Sequence, residues 1–154
     1  MSTLTVGESS LNTRADGRLR LAALAFTLVG VGVSGYLTYL KLFNAVSICS
    51  GIGDCEAVNT SRWSQVGGVP VALLGLLAYL AIAALLALES RVGFLREWGP
   101  AAVFAVALAG TLYSGYLTYI EVAVIHKICP FCVASAVAMT AVTVIAAARL
   151  RRYL

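Results

Sequence analysis

Residues 21–40, LAALAFTLVGVGVSGYLTYL, form a run of 20 residues without a charge, closed by Arg20 on one side and Lys41 on the other. Three further runs of this kind follow: Trp63 to Leu88, Trp98 to Ile120 and Ile128 to Ala148. A helix needs roughly 20 apolar residues to cross the hydrocarbon core of a bilayer. The sequence therefore predicts an all-α membrane protein, a four-transmembrane-helix bundle, with spans at about 20–43, 69–88, 99–123 and 129–149. Of the 154 residues 60% are hydrophobic and only 12% charged, against about 25% charged in an ordinary soluble domain. Eighteen charges cannot coat a globule of this size, which excludes a soluble enzyme.

Around the spans, residues 1–19 read as a polar, disordered cytoplasmic arm, 20–150 as the helical domain and 151–154 as a cytoplasmic tail. The first run is too long for a cleaved signal peptide and reads as a retained span. Four spans put both termini on one side, with Arg14, Arg18, Arg20, Arg91, Arg96, Arg149, Arg151 and Arg152. Lys41, Arg62 and Lys127 fall on the other. Short loops rich in Lys and Arg stay cytoplasmic, so both termini are expected inside a bacterial inner membrane. The loops after spans one and three then face out. The basic balance is thus one of topology; no nucleic-acid-binding spacing is present.

All four cysteines fall on the expected outer side, where disulfides form and persist. Cys49 and Cys55 lie in the loop 44–68, Cys129 and Cys132 at the start of span four. Ser34-Gly-Tyr-Leu-Thr-Tyr39 recurs as Ser114-Gly-Tyr-Leu-Thr-Tyr119, 80 residues on, and Cys49 and Cys129 are separated by the same offset. Gly35 and Gly115 in the repeat would let helix backbones approach closely in lipid. The tyrosines of the repeat suit an interfacial belt. The long outer loop reads as functional, with Asn59-Thr60-Ser61 capping a short helix and Trp63 an interfacial anchor. Nothing in the 2–3 loop, Glu89 to Gly99, suggests chemistry.

Cys129-Pro-Phe-Cys132 puts two sulfurs on one helical face. Pro130 suits the first helical position, so Cys129 sits at a helix N-terminus, where a thiolate is stabilised. The spacing implies an exposed nucleophilic Cys129 and a more deeply buried Cys132, with His126 and Lys127 close enough to add positive potential. Three readings stay open: a redox dithiol, structural disulfides in a non-enzymatic scaffold, and a four-thiolate zinc site. The wide Cys49–Cys55 spacing favours the redox reading over zinc. No ionisable residue is expected deep in a span, Glu121 lying at the outer edge of span three, which speaks against an ion transporter.

The combination of four spans, a cysteine pair after span one, Cys129-Pro-Phe-Cys132 opening span four, and Cys55-Glu-Ala-Val-Asn-Thr-Ser61-Arg-Trp63 followed by Gly68-Val-Pro70 and Leu74-Gly75 resembles the vitamin K epoxide reductase family. The resemblance covers about Leu21 to Leu150. It implies a four-helix bundle around a quinone, with a short loop helix over its mouth. It also implies a shuttle pair, Cys49 and Cys55, and a redox centre, Cys129 and Cys132. Val58, Ser61, Trp63, Leu117 and Phe131 are the expected quinone contacts. The acceptor would be a ubiquinone, menaquinone or phylloquinone, and the donor a separate thioredoxin-like protein, since the sequence stops after Arg152-Tyr-Leu154. The chain would be a monomer, needing no metal and binding no nucleic acid. Where animal members of the family carry a quinone-contacting Tyr, four residues past the second cysteine, this chain has Ala136, which speaks against epoxide reduction as its activity.

Overall fold

The computed structural model describes residues 2–45 and 53–154, with side chains from residue 12 onward. Four long helices, α1 (Ser2–Phe43), α3 (Val71–Leu88), α4 (Gly93–Ile120) and α5 (Pro130–Tyr153), form the bundle. Between α1 and α3 lie a short helix α2 (Cys55–Thr60), a 3₁₀ turn (Arg62–Ser64) and a two-residue hairpin pairing Gln65–Val66 with Val69–Pro70. The main packing is of α1 on α3 and α5, and of α4 on α3 and α5. All four are long and apolar enough to cross a membrane. Leucines such as Leu77 and Leu112 point outward, the latter 68% exposed, as lipid-facing side chains do. The chain is a multi-pass membrane protein.

The helices outrun the charge-free segments. The N-terminal arm is helical from Ser2, not disordered, and α4 starts at Gly93, six residues ahead of the expected boundary. Pro100 therefore lies inside α4, at its eighth position, where its ring removes the bond to the Arg96 carbonyl. Hydrocarbon thickness limits the apolar run but not the helix, which continues into water.

Helix packing also departs from expectation. Gly35 and Gly115 meet no close neighbour; the tight approaches are at Gly30, whose missing side chain leaves room for the ring of Tyr79, and at Gly110 against Met139. Tyr79 is fully buried and donates its hydroxyl to the Ser135 carbonyl at 2.6 Å, tying α3 to α5. Thr111 and Thr143 join α4 and α5 at 2.7 Å.

At the end of the bundle holding both termini, Arg149 is 1% exposed and clasped by two carboxylates. Glu89 receives it at 2.6 and 3.2 Å, and Asp16 at 2.9 and 3.2 Å. Arg20 adds a bond to the Leu86 carbonyl at 2.9 Å. Arg149 thus lies near the C-terminal end of α5, where the charge pattern expects a cation, but enclosed within the bundle rather than in water. Glu89 is no idle loop residue but the acceptor that closes α1, α3 and α5 together.

Candidate active site at the cysteine end

The opposite end is built around sulfur. Leu37, Leu40, Cys55, Val58 and Cys129 form one buried cluster, with Tyr36, Phe131 and Cys132 packed against it. Cys55 is disulfide-bonded, whereas Cys129 and Cys132 are free thiols. Cys49 lies outside the described residues.

Cys129 is the N-cap of α5, as Pro130 at the first helical position predicts. Its sulfur accepts the Cys132 backbone N–H at 3.4 Å, and its own N–H donates to the Glu121 carboxylate at 3.2 Å. The Cys132 thiol, hydrogen-bonding to its sulfur, holds the Cys129 thiol below its ordinary pKa, against the opposing effect of burial. Cys129 is buried rather than exposed, while Cys132, a turn further into α5, has its partial opening onto an internal cavity.

α2 is clamped in place from three directions. Asp54 caps its start, its carboxylate accepting the Ala57 N–H at 3.0 Å, while Ser61 of the expected capping segment ends α2 and begins the 3₁₀ turn. Asp54 also donates its backbone N–H to Ile128 at 3.1 Å and pairs with Lys127 at 3.6 Å, so Lys127 serves the lid rather than the thiols. Gly53, at φ +91°, lies so close to the Ile128 carbonyl that a side chain would collide with it. From α1, Lys41 donates to the Asn59 carbonyl at 2.5 Å and to Ser64 Oγ at 3.0 Å.

Beneath this lid is a cavity of about 360 Å³, lined mainly by apolar side chains including Leu37, Val58, Leu74 and Leu117. Ser61 and Trp63 also line it, so four of the five expected contacts line one cavity. The fifth does not: Phe131 is not among the lining residues, and its ring packs on Tyr36 at 5.2 Å between centroids. Trp63 faces the cavity rather than serving only as an interfacial anchor. Both free thiols, Glu121, Tyr79 and Ser135 complete the lining. The two copies of the repeat converge here as well, supplying Ser34 and Leu37 from α1 and Ser114, Leu117 and Thr118 from α4.

Glu121, Tyr79 and Ser135 are the site residues that spacing did not disclose. Glu121 is 4% exposed, on a π-helical turn (Glu121–Ile125) whose wider winding carries the chain from α4 towards Cys129. One signal was available: it is the last acidic residue of the sequence, eight positions before Cys129.

The sequence profile of the vitamin K epoxide reductase family matches residues 21–147, a stretch holding all four cysteines. The chain belongs to the vitamin K epoxide reductase family. It is also similar to the thiol-disulfide oxidoreductase LTO1 of Arabidopsis thaliana, 31% identical over 109 residues. That alignment takes in 67% of this chain but 29% of the plant protein, so the chain spans less than a third of that relative's length. As a family member, the chain carries Cys55, Cys129 and Cys132 at one end of the bundle, with Cys129 and Cys132 beside an apolar cavity.

Proposed function

We infer that the chain is a membrane thiol–quinone oxidoreductase that oxidises a separate thioredoxin-like protein, reduces a membrane quinone and so supports disulfide formation outside the cytoplasm. The observation that carries this reading is the juxtaposition of a disulfide-bonded Cys55 with two free thiols, Cys129 and Cys132, in one cluster opening on an apolar cavity. Cys49 is assigned as the partner of Cys55. The eight cations of the opposite end, against three here, support cytoplasmic termini and an outward-facing cysteine end.

A dithiol of the protein partner attacks the Cys49–Cys55 disulfide, forms a mixed disulfide and leaves oxidised, so both loop cysteines become thiols. Cys55, packed in the same cluster as Cys129, then attacks the Cys129–Cys132 disulfide and regenerates the loop disulfide. The lowered pKa of Cys129 suits it as the thiolate that leaves in this exchange. Cys129 and Cys132 are reoxidised to a disulfide, giving up two electrons and two protons.

The cavity fits a quinone ring. Its volume lies in the range of small-molecule sites, its walls are mostly apolar, and Ser61, Tyr79 and Ser135 bring a few hydrogen-bonding groups. A bound quinone supplies the chemistry of a two-electron, two-proton acceptor. Leu37, Val58, Leu74, Leu117 and Trp63 would hold it, and the thiols lining the same cavity would reduce it.

The test is anaerobic quinone reduction by the purified protein, driven by a reduced thioredoxin-like donor. Stoichiometric oxidation of donor and reduction of quinone is expected. Cysteines that stay in one redox state through the assay would mark an inert scaffold and sink the reading.

A further inference from the structure

Glu121 is a carboxyl group enclosed at the cysteine end of α4, and its surroundings are unusual for a charge. Among the described residues no Lys, Arg or His pairs with it; the ion pairs engage Asp54, Asp16 and Glu89 instead. Its one hydrogen bond to the redox pair is with Cys129, whose backbone N–H it accepts at 3.2 Å. It also lines the cavity that both thiols line. A bare helix end would have served to cap the loop, and an amide would have met the Cys129 N–H equally well. An ionisable side chain kept in a membrane span is expensive and marks function by default. The π-helical turn that begins at Glu121 is a local irregularity of the kind often found at functional sites.

We propose that Glu121 is a catalytic proton carrier, moving the Cys132 proton to the quinone as the two thiols are oxidised. The proposal rests on the thiol–quinone reading above. In the step, the S–H bonds of Cys129 and Cys132 break and one S–S bond forms between them. The electron pair released passes to the quinone, and two O–H bonds form there. Glu121 as carboxylate takes the proton of Cys132 and hands it to one quinone oxygen. The proton of Cys129 supplies the other, and Glu121 is a carboxylate again at the end of the turnover. Without a base at this point, a proton would have to leave Cys132 into apolar surroundings that cannot solvate it.

The experiment uses the full chain in detergent, with dithiothreitol as donor, menadione as acceptor and the uncatalysed rate subtracted. Glu121→Gln keeps an oxygen for the Cys129 N–H but cannot carry a proton, and its kcat should fall at least about a hundredfold, as for loss of a general acid–base group. Glu121→Asp, which can carry a proton, should recover most of that loss. A larger solvent deuterium isotope effect on kcat is expected in Glu121→Gln than in the wild type. A wild-type kcat in Glu121→Gln overturns the carrier role while leaving the thiol–quinone reading intact, and so does an Asp variant as slow as the Gln variant. A wild-type protein that reduces no menadione sinks the thiol–quinone reading, and this proposal with it. Should Glu121→Gln not fold, infrared difference spectra of the wild type decide. A carboxyl C=O band that changes on menadione addition is expected, and its absence overturns the carrier role.

Discussion

Removing Arg149 should cost far more stability than removing both Arg149 and Glu89. The guanidinium is 1% exposed and bonded to Glu89, whose side chain is 6% exposed, and to Asp16, 23% exposed. In Arg149→Met two carboxylates lose their only common cation, and Glu89 is left buried without one. Breaking a buried pair this way costs about 3–5 kcal/mol, whereas replacing both partners by apolar side chains of similar volume is often near neutral. Arg149→Met/Glu89→Met strands only Asp16, which water reaches, and should recover most of the loss. Glu89→Gln leaves a neutral Arg149–Asp16 pair and should cost about 1.5–3 kcal/mol, the range for hydrogen bonds to charged groups. Asp16→Asn should cost less still, because exposure screens its charge. The assay is thermal unfolding of the detergent-solubilised protein, followed by circular dichroism. For a chain of this length a 3 kcal/mol loss lowers the midpoint by about 6–12 °C. Quinone reduction below the transition should be unchanged, since 17 residues of α5 separate Arg149 from Cys132, about 25 Å along the axis. A double variant that loses as much as the sum of its singles would refute the stranded-charge explanation.

Three shorter predictions concern the cysteines and the orientation. Cys129→Ala or Cys132→Ala should abolish dithiothreitol-driven quinone reduction, while Cys49→Ala or Cys55→Ala should abolish only oxidation of the protein partner; full dithiothreitol activity in Cys132→Ala would mean that the redox centre is misassigned. Because the Cys129 thiol titrates below its ordinary value, its alkylation rate should already rise at a pH where the denatured chain is unreactive. Alkylation plotted against pH should return to the ordinary thiol range on unfolding. A membrane-impermeant maleimide, applied to reduced spheroplasts, should label the cysteine end, and labelling only after the membrane is opened would reverse the topology.

The spans were legible because hydrocarbon forbids unpaired charge, so charge-free runs of about 20 residues mark them directly. The juxtaposition of Cys129 and Cys132 was equally plain, since two cysteines three apart share a helical face whatever surrounds them. Helix ends were not, because polar residues before Arg20 and around Phe94 neither favour nor forbid helix outside the membrane. The choice of glycine failed for a related reason: the repeat advertised Gly35 and Gly115, yet close approach depends on which residue faces a partner, and that falls to Gly30 opposite Tyr79 and Gly110 opposite Met139. The direction of Phe131 could not be read either: it is adjacent to Cys132 in sequence but turned towards Tyr36. Glu121 looked like a rim residue until the π-helical turn folded it back beneath Cys129.

The Gly30–Tyr79 contact bears on how this protein tolerates change. Lipid tails are as apolar as leucine, so burying more hydrocarbon between helices gives little stability, and close fit with a few polar ties holds them instead. The usual map of sensitive positions is therefore turned inside out. Bulky outward residues such as Leu77, Leu112 and Val144 should exchange freely among apolar types. A single methyl group added at Gly30 would collide with the Tyr79 ring and pull on the one hydroxyl that ties it to Ser135. In this bundle the smallest side chain is among the least replaceable.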